Sequence, residues 1–220
     1  MARRAPGAVI GVRRAPFDLL VVVDPRDGAA LEGLGRLGQH CRGDRIAVQL
    51  RAKDASTGER LVMARALAGV QPPGSLTIVN GDVALARLIA ADGVHLPEAS
   101  GPVREARAQL AQGALVGASC HDEAGVRRRS DEGADYVVLG PLGEVPGKPS
   151  MARDEFARIA RATAVPIVAL GGLASLVDAE DALALGAAAI AVQRAILAPG
   201  APDWLAAWLA SRQGARPGPG

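Results

Sequence analysis

The chain has 220 residues, enough for one large domain of the size at which α/β barrels fold as a single unit. It is 49% hydrophobic but only 2% aromatic, so Ala, Val, Leu and Ile have to fill most of the core. A net charge of +2 is too small to argue for nucleic acid or a membrane surface as partner, and no apolar run approaches the roughly 20 residues of a membrane-spanning helix.

Residues 1–16 carry Arg3, Arg4, Arg13 and Arg14 among Pro and Gly, without the apolar centre of a secretion signal. They read as a flexible tail, residues 17–212 as one domain, and the Gly- and Pro-rich residues 213–220 as a disordered end. Cys41 and Cys120 stand alone without metal-like spacing, which fits a cytoplasmic protein.

The apolar run Leu19–Val23, ended by Asp24-Pro25, predicts a first strand. Ala29–Gln39 has helical spacing through Leu31, Leu34 and Leu37. Ile46–Leu50 is the second strand, followed by a helix over Thr57–Ala68 with Thr57 as its N-cap. Leu76–Asn80 and Asp92–Leu96 are the third and fourth strands, with helices over Val83–Ala90 and Val103–Leu110. The rhythm continues with strands at Leu115–Ser119, Tyr136–Leu139, Pro166–Leu170 and Ala189–Val192. Helices follow over Asp122–Glu132, Arg153–Thr163, Leu176–Leu185 and, at the end, Asp203–Ser211. Eight strand–helix units with short connections predict an α/β fold of the (β/α)8 TIM-barrel type in a single domain. A doubly wound sheet would open with a Gly-rich turn, and Asp24-Pro25-Arg26-Asp27-Gly28 is not that pattern.

In such a barrel the active site lies at the carboxyl ends of the strands. Strand alternation puts Gln49, Arg51 and Lys53 on one face, ending in an amide, a guanidinium and an ammonium. Such a cluster near a barrel interior asks for an anion, and phosphate suits both an Arg fork and a Lys point charge. Asn80, His95, Ser119 and His121 end the next three strands, and Lys148 lies in the loop after the sixth. Gly171-Gly172 and Gln193-Arg194 follow the seventh and eighth strands, the usual phosphate seat of this fold. Cys120 alternates away from the mouth and reads as a buried structural cysteine. Arg127-Arg128-Arg129 reads as a solvated helix face.

These residues carry a resemblance. Val48–Lys53, Asn80, Ala91–Leu96, Gly117–His121, Gly133–Pro141 and Pro166–Gly172, in that order, resemble the thiamine phosphate synthase/TenI superfamily over about Leu19 to Ile196. The resemblance implies one of two activities on the barrel. A synthase joins a pyrimidine diphosphate to a thiazole phosphate, with Mg²⁺ on the leaving pyrophosphate; a TenI-type tautomerase shifts a proton on the thiazole.

The sequence departs from the synthase pattern on the diphosphate side. Gly81 and Ser100 stand where the two Mg²⁺-binding aspartates are expected, Val145-Pro146-Gly147-Lys148 replaces Thr-x-Thr-Lys, and Arg194 replaces a Ser. The resemblance with these departures implies a TenI-like thiazole tautomerase needing no cofactor, with His121 moving the proton and Arg51 and Lys53 holding the substrate carboxylate. An Mg²⁺-dependent synthase and a non-catalytic ligand-binding or regulatory barrel are the alternatives. The expected partner is a small phosphorylated thiazole, with no nucleic acid, no membrane, and self-association left open.

Overall fold

The computed structural model describes residues 14–212. The tail expected over 213–220, and all but the last three residues of that expected over 1–16, lie outside the described residues.

Eight parallel strands close into a barrel in sequence order, with β8 returning to pair with β1. They are β1 (Leu19–Val23), β2 (Ile46–Leu50), β3 (Leu76–Asn80), β4 (Gly93–Leu96), β5 (Leu115–Cys120), β6 (Tyr136–Leu139), β7 (Ile167–Leu170) and β8 (Ala189–Val192). A parallel strand covered on both sides needs no polar face, so these segments read as near-continuous apolar runs. The outer helices are α1 (Gly28–His40), α2 (Thr57–Ala68), α3 (Val83–Leu88), α4 (Val103–Arg107), α5 (Glu123–Asp131), α6 (Arg153–Ala162), α7 (Leu176–Ala184) and α8 (Ala201–Ser211).

The element order is the one expected, and most boundaries move by no more than a few residues. The N-cap of α2 is Ser56 rather than Thr57. The reason is Glu59: its backbone N–H donates to Ser56 Oγ while its carboxylate accepts from the Ser56 N–H at 2.7 Å. That reciprocal pair is available only to the residue three positions before the Glu.

Alternation along the strands splits the core in two. Outward residues such as Val21, Val48, Val94 and Val137 pack with the helices in one buried cluster. Inward residues such as Leu20, Val22, Ala47, Ile78, Val138, Val168 and Ala191 fill the barrel in another. Small side chains leave the barrel underfilled, and the scarce aromatics supply the missing volume. The Tyr136 ring lies fully buried against Phe17, edge-to-face at 4.9 Å, and against the His95 ring at 5.7 Å. Gly117 on β5 is what admits it: a Cβ there would sit 2.1 Å from the Tyr136 ring. Ala15 and Phe17 belong to this inner cluster, so burial begins before β1.

The base of the barrel is closed by a buried ion pair between Arg45 and Asp18. Arg45 also donates from Nη1 to the carbonyl of Leu209 at 2.9 Å, which ties α8 across the strand N-termini. Arg212 lies 3.7 Å from the same aspartate and over the ring of the buried Trp208.

Gly117→Ala should therefore force the Tyr136 ring out of its slot. Overpacking of this kind costs about 1–3 kcal/mol. Urea denaturation should show that loss, with a change in the near-UV dichroism of the tyrosine; an unchanged midpoint would refute the slot.

Candidate active site

A cavity of about 470 Å³ opens at the carboxyl ends of β5 to β8. Its wall includes Ser119, His121, Lys148, Gly171, Gly172, Gln193 and Arg194, alongside apolar side chains of Val138, Leu170, Leu173 and Val192. An apolar pocket with a few convergent polar groups is the usual form of a small-ligand site. A short 3₁₀ turn, Ala195–Leu197, follows β8 at its edge.

The two glycines after β7 have φ of 102° and 71°, which side chains disfavour. Their first role is to let the β6–α6 loop close on this turn. A Cβ on Gly172 would lie 2.5 Å from the carbonyl carbon of Gly143, and the Gly143 N–H donates to the Gly171 carbonyl at 2.8 Å. The loop that carries Lys148 and the turn expected to seat phosphate are thus one packed unit. Glu144, Val145 and Pro146 of that loop also line the cavity. Val145 and Pro146 hold the place of the expected Thr-x-Thr, while nothing in the sequence marked Glu144.

The remaining residues expected at the site sit on the other half of the mouth and do not line this cavity. Gln49 is buried, and its amide donates to the Asn80 side chain at 2.9 Å. Arg51 follows on the same strand face, half-buried, and Lys53 is exposed beyond it. His95 is 2% exposed, with Nε2 2.8 Å from Ser119 Oγ. Burial, helped by the nearby charges of Arg51 and Arg129, pushes its pKa down to about 3, so the ring is neutral. It supports Ser119 from below the mouth.

His121 stands at the rim, with Nδ1 2.6 Å from the carbonyl of Gly140. A carbonyl only accepts, so Nδ1 carries the proton and the neutral ring keeps its lone pair on Nε2. Facing Nε2, at 3.7 Å, is the carboxylate of Glu98 from the β4–α4 loop. Cys120, next along the strand, is 1% exposed among the outward-facing residues. Burial raises its thiol pKa to about 11, which makes it a poor nucleophile.

Arg129 corrects the sequence reading. Arg127 and Arg128 are exposed, but Arg129 shares the inward stripe of α5 with Gly125 and Val126 and is 2% exposed. The helical period predicts this, since 125, 126 and 129 fall on one face. Three consecutive arginines hid it.

A resident Mg²⁺ does not fit the donors present. Gly81 and Ser100 bring no carboxylate. Asp82 is committed twice, capping α3 at the Leu85 N–H and pairing with Arg60 at 3.0 Å. Glu98 faces His121 instead. No group of three or more His, Cys, Asp or Glu side chains suited to a metal gathers among the described residues. Mg²⁺ wants several oxygen ligands at short range, and these loops offer isolated ones.

Fold and site together define a (β/α)8 barrel with a small-ligand pocket at the strand carboxyl ends. The family described as thiamine monophosphate synthase matches residues 19–196, and the chain belongs to it. It is 32% identical over 190 residues to a putative thiamine-phosphate synthase of Geobacter sulfurreducens, covering 84% of this chain and 89% of that one. It is 40% identical over 162 residues to the thiamine-phosphate synthase of Thiobacillus denitrificans, covering 71% and 75%. Among solved structures, the thiamine phosphate pyrophosphorylase of Pyrococcus furiosus superposes with a TM-score of 0.76 at 25% identity, covering 90% of this chain and 96% of that one. Among the described residues no helix is long and apolar enough to cross a membrane.

Two outcomes test this description. Because His95 protonates near 3 when folded and near 6.5 when unfolded, the unfolded chain binds the extra proton between those values. Its contribution to stability is present above pH 6.5 and is lost as pH falls toward 3, at up to ~1.4 kcal/mol per pH unit. His95→Gln should flatten that part of the acid limb in denaturation curves; an identical limb would refute the buried neutral ring. Calorimetric titration of the free protein with Mg²⁺ should show no tight, saturable site, and finding one would show that these side chains do gather around the ion.

Proposed function

We propose that the protein is a transferase of the thiamine-phosphate synthase type that seats a thiazole phosphate in the cavity at β5 to β8. The observation that carries this reading is the meeting of Lys148, Gly171, Gly172, Gln193 and Arg194 around one apolar pocket beside His121. Backbone amides of the two turns, with the Lys and Arg charges, suit a phosphate, while Val138 and Leu170 suit a flat ring. Family membership and the synthase names of the relatives support the transferase over the tautomerase expected from the departures in sequence.

In the coupling, the thiazole nitrogen forms a bond to a carbon of the pyrimidine diphosphate as its carbon–oxygen bond breaks, and pyrophosphate leaves with the electron pair. Mg²⁺ is what the family supplies for that leaving charge. Here Arg51 and Lys53, at the end of β2, are the cations of this chain that would face it. Gln49 and Asn80, bonded to each other, would present their free polar atoms to the pyrimidine.

One observation favours a second reading, the thiazole tautomerase. The His121 ring is held with its lone pair outward on Nε2, the arrangement a proton shuttle needs. Under this reading Arg51 and Lys53 hold the substrate carboxylate.

The deciding experiment supplies a thiazole phosphate with and without pyrimidine diphosphate and follows products by chromatography. Thiamine phosphate formed only with both substrates is the expected result; isomerisation of the thiazole alone would select the second reading. If the tautomerase operates, His121→Asn should lower its rate by about 10²- to 10⁴-fold. No product and no thermal shift with any of these ligands would leave neither enzyme standing.

A further inference from the structure

Three carbonyls of the β4–α4 loop accept from the Arg129 guanidinium. Its Nη1 donates to the Gly101 carbonyl at 2.8 Å, and its Nη2 donates to the carbonyls of Glu98 and Ser100 at 3.1 and 3.0 Å. Nη1 also meets the Glu132 carboxylate at 3.0 Å, and that carboxylate accepts from the Val103 N–H at the start of α4. The whole β4–α4 connection is therefore gripped from one helix. A buried cation is costly unless it is hydrogen-bonded, and both terminal nitrogens of Arg129 are, so the loop carbonyls and the arginine fix each other.

What this grip holds at the mouth is the side chain of Glu98, 3.7 Å from His121 Nε2. Both side chains are about half exposed, and a pair so open would not order a loop by itself. The order comes from Arg129.

We propose that Glu98 is the carboxylate partner of His121 and that Arg129 is the positioning residue that keeps it there. With Nδ1–H on the Gly140 carbonyl, His121 takes a proton from the ligand at Nε2. The positive ring is then stabilised by the Glu98 carboxylate until the proton returns to the ligand. No electrons are exchanged and no further reactant is needed. The inference rests on the second, tautomerase reading of the site, in which His121 moves a proton at this mouth.

The test reads His121 directly, so that it stands apart from turnover. The chain has three histidines, and carbethoxylation by diethylpyrocarbonate can be followed at each by mass spectrometry. Glu98→Gln leaves the Arg129 grip intact, because that contact is to the backbone carbonyl. It should expose Nε2 and raise the His121 modification rate about two- to fivefold, the range of a half-exposed ion pair. Arg129→Met should give the same rise, and the double variant no more than Glu98→Gln alone. Arg129→Lys, which keeps the charge but loses the fork, should fall between; it carries the cycle if the Met variant does not fold. An unchanged rate in Glu98→Gln, or additive effects in the double variant, would overturn the proposal. In tautomerase turnover, both changes should lower kcat with KM retained. A wild type without tautomerase turnover counts against that reading, and the His121 reactivity then decides this inference alone.

Discussion

The constraint on which this barrel depends is the filling of its interior. A closed eight-stranded sheet needs volume along its axis, and here many inward positions, such as Val22, Ala47, Val138, Val168, Ala189 and Ala191, are Ala or Val. Tyr136 supplies that volume, resting on Phe17 below and meeting His95 on another side. The ring enters because β5 has Gly117 beside it. His95 in turn meets Ser119, so the height of the aromatic column fixes the floor of the mouth. Packing at the centre and polar geometry at the rim are successive layers of one stack.

Above that floor the mouth has two unlike halves. Over β5 to β8 it is hollow, apolar and ringed by backbone turns. Over β2 to β4 it is closed by polar side chains bonded to one another and by arginines reaching in from the outer helices. Arg60 ties the β2–α2 loop, through the Ala52 carbonyl, to Asp82 at the head of α3. Arg129 does the same for the β4–α4 loop. Where the synthase pattern has carboxylates gathered around a metal, this chain has guanidinium groups bracing loops.

Much of this was legible from residue order. The strands could be read because parallel strands leave no polar face to confuse the pattern, and among the described residues the loops hide no further strand or α-helix, only the 3₁₀ turn after β8. Residues at strand ends were found by alternation, which is why His121, Ser119 and Gln49 could be placed on the mouth side. Arg129 was missed because its neighbours Arg127 and Arg128 made the stretch look uniformly solvated, although its helical phase pointed inward. The pairing of Glu98 with His121 was hidden for a different reason. It joins two loops whose separation depends on how far the chain turns after β4, and periodicity does not carry that distance. Glu144 was equally invisible, since its place follows from the packing of Gly143 on Gly172.

The base of the barrel has a consequence of its own. Phe17 enters from the side of the strand N-termini, and α8 ends there as well, where Arg45 holds the Leu209 carbonyl and Arg212 approaches Asp18. Both ends of the described chain therefore emerge on the closed side, a full strand length from the ligand cavity. A strand of five residues spans roughly 17 Å. A reporter or tether joined directly to residue 14 or residue 212 would start behind the barrel, on the side away from the cavity.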